Sequence, residues 1–296
     1  MYKIVVLAKQ VPDTHNVTAK AMKEDGTVNR AALPTIFNPE DLNALELALS
    51  IKDQYGAEIT VITMGPPTAA DILRDSLYRG ADRVILLTDR RFAGADTLAT
   101  SYVLSSAIKK LGKFDFLIAG RQAIDGDTAQ VGPQTAEKLG IGQISYVLEI
   151  QELKKENIRV KRAIDNGSEV VKTKLPVMMT VTDEANEPRY PSVRRIAKFK
   201  KAMTLSELDK ISDAMKYLDP SKYSAETLKQ KGLLIEEWNL DDVKADPKWC
   251  GLQGSPTKVF KIDNVVLEAG DAKNIEPTAA AIGGLIHELI EEHILG

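Results

Sequence analysis

Between Gly120 and Gln134 the chain reads Gly-Arg-Gln-Ala-Ile-Asp-Gly-Asp-Thr-Ala-Gln-Val-Gly-Pro-Gln, the stretch whose residue types are best suited to chemistry. An apolar run, Phe114 to Ala119, broken only by Asp115, precedes it, and Thr135 to Leu139 follows with helical character. A strand that empties into a polar, glycine-bearing turn and then a helix sits where α/β sheets bind ligands, outside the carboxyl ends of the strands. The start of the helix offers unpaired N–H groups and a partial positive charge, which suit a phosphate or pyrophosphate. Thr128 and Gln130 can add side-chain donors, while Asp125 and Asp127 can accept from ribose hydroxyls or cap the helix. On spacing alone the stretch reads equally as a ligand turn or as a capped surface turn.

Three other places belong to the same edge. Lys9 ends the apolar run Lys3–Ala8, as a ligand contact or as a solvated lysine. Asn38-Pro39-Glu40-Asp41 opens a helix, with Asn38 suited to the N-cap and Pro39 to the first helical position. Met64-Gly65-Pro66-Pro67 ends another apolar run, and Gly65 would let a flat ring or a backbone come close. Neither a Gly-x-Gly-x-x-Gly nor a Walker loop occurs, so a nucleotide would bind by another route. His15, His287 and His293 show no metal-ligand spacing, and Cys250 has no evident base partner. Nothing signals nucleophilic or paired-carboxylate catalysis. Chemistry carried by a cofactor fits this inventory better.

The elements that would position these residues alternate through the first half. Lys3–Ala8, Glu58–Met64, Arg83–Thr88 and Phe114–Gly120 are apolar runs of strand length. Helical patterns over Asp41–Lys52, Thr68–Tyr78 and Ala95–Leu111 separate them. Such alternation predicts an α/β, doubly wound, mainly parallel sheet covered on both faces, Rossmann-like in architecture. After about residue 143 the rhythm changes: Ile144–Ile150, Ile158–Ile164, Glu169–Lys174 and Val177–Thr182 follow at short gaps, with a tight turn at Asp165–Ser168. These strands are expected to form an added antiparallel segment. Residues 203 to 270 have low periodicity and read as an extended arm, and Thr278–Ile294 is an amphipathic helix. The expected organisation is residues 1–202 as the nucleotide-binding unit and 203–296 as arm and helix.

Composition narrows the class. The chain has 296 residues, 44% hydrophobic and 27% charged, enough apolar side chain for a sizeable core. A formal charge of −3 argues against nucleic acid as a partner. One cysteine excludes a disulfide framework and cysteine-ligated clusters. No apolar run approaches the roughly 18 residues of a membrane span, and Met1–Gln10 lacks a signal-peptide core. A cytoplasmic protein is expected. Against the acidic balance, Arg189–Lys201 is dense in Arg and Lys with Tyr190, Val193, Ile196 and Phe199 interleaved. Apolar side chains ringed by cations, Lys198 among them, suit docking to an acidic partner.

Val160–Thr180, reading VKRAIDNGSEVVKTKLPVMMT, resembles the signature of the electron transfer flavoprotein β subunits and Fix-type proteins. The resemblance covers essentially the whole chain, with Asn166 as a departure that touches only the turn. It implies that Leu7, Ala8, Lys9, Asn38, Pro39, Asp41, Met64, Gly65 and Gly120 bind nucleotide. It extends this to Arg121, Gln122, Ala123, Ile124, Asp125, Gly126, Asp127, Thr128, Ala129, Gln130 and Val131. It also implies that Asn186–Tyr190 with Ser192-Val193 is the loop that grips partner dehydrogenases, with Val193 smaller than the usual leucine. Gly126–Pro133 and Gly251–Lys258 are similar to the electron-bifurcating members. In those the β subunit holds FAD, takes a hydride from NADH, and divides the electrons. One goes to the α-subunit FAD, which serves an acyl-CoA-type dehydrogenase, and one to ferredoxin or flavodoxin. Two other readings stay open: an ordinary carrier with structural AMP in β, and a regulatory nucleotide-binding module without redox role.

Overall fold

The computed structural model describes residues 1–13, 33–214, 224–257 and 274–292. The apolar runs become parallel strands: β1 (Tyr2–Leu7), β4 (Ala57–Met64), β5 (Arg83–Leu87) and β6 (Phe116–Gly120). A separate antiparallel ribbon pairs β2 (Gln10–Pro12) with β3 (Thr35–Phe37). Along β1, Ile4 and Val6 enter one core while Val5 and Leu7 enter the other. Helices α1 (Pro39–Tyr55) and α2 (Ala70–Arg79) fill the first core with Leu45, Leu49, Ile72 and Leu73. Helices α3 (Thr97–Leu111) and α4 (Val131–Leu139) fill the second with Val103, Leu104, Ile108 and Ala136. Cover on both faces is why these strands read as continuous apolar runs.

The later strands are β7 (Gly142–Lys154), β8 (Asn157–Ile164), β9 (Gly167–Lys174), β10 (Val177–Val181) and β11 (Glu236–Trp238). The sheet order is β11-β5-β4-β1-β6-β10-β7-β8-β9. From β1 the chain steps outward through β4 to β5, then returns to the other side of β1 for β6. The reversal puts a crevice at the carboxyl ends of β1 and β6, the switch point where α/β sheets bind ligands.

One expectation is corrected. Val177–Thr182 does not join the antiparallel segment: β10 inserts between β6 and β7 and runs parallel to both. Its five residues are all buried, the pattern of a central strand, whereas β9 is largely exposed. The short gap before it misled because β7 does two jobs. Gly142–Val147 pairs with β10, and Val147–Lys154 pairs with β8. A bulge where Ser145 and Tyr146 face Thr180 bends the strand between those halves, with Tyr146 at φ 59°.

The region from 203 onward contains α5's neighbours in sequence, α6 (Leu205–Ala214) and α7 (Ala225–Gln230), after α5 itself (Val193–Phe199). Strand β11, three residues long, is too short to announce itself by periodicity. It docks on β5, fixed by a fork from Arg83 to Glu236 at 2.7 and 2.8 Å. The Lys110 ammonium sits 4.1 Å from the Trp238 ring centre. Helix α8 (Ala279–Glu291) contains no buried residue. Among the described residues, no helix is long and apolar enough to cross a membrane.

Phe116 is fully buried at the centre of the sheet, edge-on to Tyr2 with ring centres 5.6 Å apart. Phe116→Ala is expected to cost about 3–5 kcal/mol. A lower urea midpoint with an unchanged slope would show it.

Candidate functional site

The first turn of α1 builds the floor of the crevice. Asn38 occupies the N-cap position and Pro39 the first helical position, but the Asn38 side chain does not cap the helix. It donates to the Gln122 carbonyl at 2.8 Å and accepts from the Ile124 N–H at 3.1 Å. Glu40 accepts from the Gln122 N–H at 2.9 Å and pairs with Arg121 at 2.7 Å. The Asp41 carboxylate accepts from the Lys9 N–H and the Gly120 N–H, each at 2.9 Å, so it ties the ends of β1 and β6 together. Gly120 has no room for a side chain: a Cβ there would stand 2.6 Å from Asp41 Oδ1 and 2.7 Å from the Glu40 carbonyl carbon. Burial pushes the Asp41 carboxyl up to about 7, against the lowering effect of the Gly120 and Lys9 N–H bonds.

The turn that follows β6 balances its own charges. Lys9 Nζ lies 2.7 Å from both carboxylate oxygens of Asp125. Gln122 Nε2 donates to Asp127 at 2.9 Å. Neither aspartate caps α4, which begins four residues earlier than its apolar pattern suggests and has Gln130 at its N-cap without a side-chain bond. Gln130 instead accepts from Thr97 Oγ1 at 2.8 Å. Asp127 and Ala129 hold left-handed backbone angles, φ 48° and 51°, which cost non-glycine residues and concentrate at ligand sites. Ala129 in that conformation before Gln130 in the right-handed one turns successive N–H groups toward a common centre, an anion-binding arrangement. The first-turn N–H groups of α4 add to it, lacking intrahelical acceptors.

The cleft over this floor measures about 1040 Å³. Leu7, Ala8, Lys9, Asp41, Met64, Gly65, Gly120–Ala123 and Asp125–Val131 line it. Asn38, Pro39 and Ile124 do not; Asn38 is fully buried behind the turn it holds. The far wall, Thr88–Arg90 and Phe92–Thr97 between β5 and α3, was not among the expected site residues. The cue was present in Asp96-Thr97, a helix start after a strand at the same edge. Asp96 caps α3 through the Ala99 N–H at 2.9 Å and accepts from Thr257 Oγ1 at 2.7 Å. The Gly251–Thr257 turn thereby closes on the cleft rim. Gly251, at φ +55° and with a Cβ position 2.2 Å from the Arg91 carbonyl oxygen, is required for that approach.

The basic loop starts alongside α1, where Asn186 meets Asn43 and Arg189 meets Glu46 and Asp53. Tyr190 and Val193 are 87% and 81% exposed. Ile196 is half-buried, and the Lys198 ammonium lies 4.6 Å from the Phe199 ring centre. His287 is exposed on α8, while His15 and His293 fall outside the described residues.

A family profile described as "Electron transfer flavoprotein domain" matches residues 25–209. The chain is 43% identical over 292 residues to the electron transfer flavoprotein subunit beta of Clostridium acetobutylicum, covering 99% of each. It is 42% identical over 295 residues to the caffeyl-CoA reductase-Etf complex subunit CarD of Acetobacterium woodii, covering 99% of this chain and 100% of the relative. It is 40% identical over 265 residues to protein FixA of Bradyrhizobium diazoefficiens, covering 87% and 81%.

Because the folded carboxyl of Asp41 stands above its value of 3.8 in the unfolded chain, the folded state holds a proton between those values that the unfolded state releases. The contribution is complete below about pH 4, and stability is lost as pH rises toward 7. At 1.36 kcal/mol per unit the loss amounts to at most about 4 kcal/mol. Asp41→Asn is expected to flatten that slope; urea titrations across the same range measure it.

Proposed function

Because this chain belongs to the electron transfer flavoprotein β-subunit family, we propose that its cleft binds FAD accessible to NADH, within a heterodimer with an α subunit in the cytoplasm. The observation that carries this reading is continuity. The anion-suited turn at 126–132 opens without a partition onto a chamber walled by Ile62, Met64, Pro66, Phe92 and Leu104. Sites for drug-sized ligands run roughly 300–1,000 Å³, and this cleft, at about 1040 Å³, stands at the top of that range. Polar groups at one end and an apolar slot at the other suit a pyrophosphate joined to a flat ring.

When bound, the flavin would supply hydride acceptance from NADH and one-electron transfer to the α-subunit FAD and to ferredoxin or flavodoxin. The chain's own work is positional. The 126–132 backbone holds the phosphates, and Asp41 fixes the spacing of the β1 and β6 ends. Lys9 and Asp125 clasp the turn across the cleft mouth. The Gly251–Thr257 turn stands against the rim beside Asp96 and limits water there. No side chain is needed as acid or base for a hydride transfer.

The CarD relative belongs to a caffeyl-CoA reductase-Etf complex. That name, with the exposed Tyr190 and Val193, supports an acyl-CoA-type dehydrogenase as the partner of the basic loop. On α8, Ile282, Ile286 and Ile290 recur every fourth residue and are 46%, 47% and 50% exposed. A stripe of that kind supports assignment of residues 203–296 as the arm that contacts the α subunit.

Co-expression with the α subunit, purification of the heterodimer, and chromatography of the released cofactors test the reading. Two FAD per heterodimer and no AMP are expected. One FAD with one AMP would instead establish an ordinary carrier and remove the NADH site.

A further inference from the structure

The basic loop is held far more tightly than an exposed docking segment requires. The backbone N–H and carbonyl of Arg189 are engaged, and so are Nε and Nη2 of its guanidinium. Its N–H and Nε donate to Glu46 Oε2 at 3.0 and 2.8 Å, and Nη2 donates to Glu46 Oε1 and to Asp53, each at 2.9 Å. Its carbonyl accepts from Arg79 of α2. Just before it, Asn186 and Asn43 exchange hydrogen bonds at 2.7 and 3.1 Å. Just after it, the Ser192 N–H donates to the Tyr78 carbonyl at 3.0 Å. Arg195 then caps the end of α2, giving Nε to the Leu77 carbonyl and Nη2 to the Ala81 carbonyl at 2.6 and 2.5 Å. Between these fixed points Tyr190 and Val193 are the apolar side chains that project, and among the described residues they are the most exposed large hydrophobics apart from Met1.

Glu46 is the centre of this arrangement. It is 9% exposed, yet it collects three donor bonds from one residue that lies 143 positions away. A buried carboxylate is tolerated only when paired and hydrogen-bonded, and Glu46, five residues beyond Asp41 on α1, does not line the cleft. The Glu46 contacts hold the Arg189 guanidinium well above its ordinary value, so the arginine keeps its charge throughout the physiological range.

We propose that Glu46 is a positioning residue for partner docking: through Arg189 it pre-sets the backbone on which Tyr190 and Val193 stand, so that binding does not have to order the loop. The partner is a dehydrogenase surface with an apolar pocket and an acidic rim, matched to two apolar anchors among Arg194, Lys198, Lys200 and Lys201. Ordering a mobile loop on association weakens affinity, whereas a loop ordered in advance does not carry that cost. This inference rests on the reading of residues 189–201 as the docking loop.

The test uses the heterodimer with its α subunit and runs the exchange in reverse, with a saturating short-chain acyl-CoA as reductant and the short-chain acyl-CoA dehydrogenase that, oxidising it, reduces the wild-type heterodimer fastest. Flavin absorbance gives kcat and the KM for the dehydrogenase. Tyr190→Ala and Glu46→Gln are each expected to raise KM about tenfold with kcat within about twofold of wild type. The double variant should be little worse than either alone, because both remove the same pre-set anchor. Amide exchange over residues 189–196 should speed up in Glu46→Gln, with the protection of β1 and β6 unchanged. Arg189→Gln serves as the alternative should Glu46→Gln fail to fold, and carries the same expectations. If Tyr190→Ala leaves KM unchanged, the docking reading fails. If Tyr190→Ala raises KM while Glu46→Gln does not, or the two effects simply multiply, the docking reading survives and the positioning role is overturned.

Discussion

The structure depends on one buried carboxylate. Asp41 joins two backbone N–H groups that belong to different strands, Lys9 at the end of β1 and Gly120 at the end of β6. Parallel strands share no hydrogen bonds beyond their ends, so the mouth of the switch-point crevice needs an outside constraint to keep its width. A helix supplies it here. Asn38, Glu40 and Asp41, within one turn of α1, reach across to Gly120, Gln122 and Ile124. Gly120 must be glycine because the helix backbone lies where its Cβ would be. Burying three polar side chains in one turn is costly unless each is satisfied. They are satisfied by the backbone that follows β6 and, for Asp41, by the Lys9 N–H as well, so the fold of the turn and the stability of the helix start are one arrangement.

That arrangement explains the electrostatics of the cleft. The turn carries Asp125 and Asp127, which would oppose a phosphate at the start of α4. Lys9 neutralises the first and Gln122 engages the second, so the carboxylates do not compete for the helix N-terminus. The positive end of α4 is left to whatever enters the cleft. The left-handed angles at Asp127 and Ala129 belong to the same logic: strain in a non-glycine backbone persists only where surrounding bonds over-determine it.

Much of this was legible in the amino-acid order, and what was not has physical reasons. The apolar runs reported the central strands because both sheet faces are covered, and Pro39 marked the start of α1. Asn38 has the residue type and position of a cap, but its side chain serves a partner 84 positions away, which no local pattern encodes. Asp125 and Asp127 looked like caps or ribose acceptors for the same reason. The short gap before β10 looked like a hairpin because the bulge at which β7 passes from pairing with β10 to pairing with β8 lies in a residue pair, Ser145 and Tyr146, without the glycine that usually signals one. The β5–α3 wall of the cleft went unread although Asp96 is an ordinary cap.

The basic loop shows why counting charges overstates a docking surface. Residues 189–201 look like a uniform cationic patch, yet Arg189 and Arg195 are consumed inside the protein, one by Glu46 and Asp53 and the other by the end of α2. The exposed cations are Arg194, Lys198, Lys200 and Lys201, three of them lysines on flexible stems. Lysine offers a hydrated point charge, whereas arginine offers a rigid fork. Such a rim would attract an acidic surface while contributing little fixed geometry of its own. Tyr190 and Val193 stand exposed on a backbone held from behind by Arg189 and Arg195.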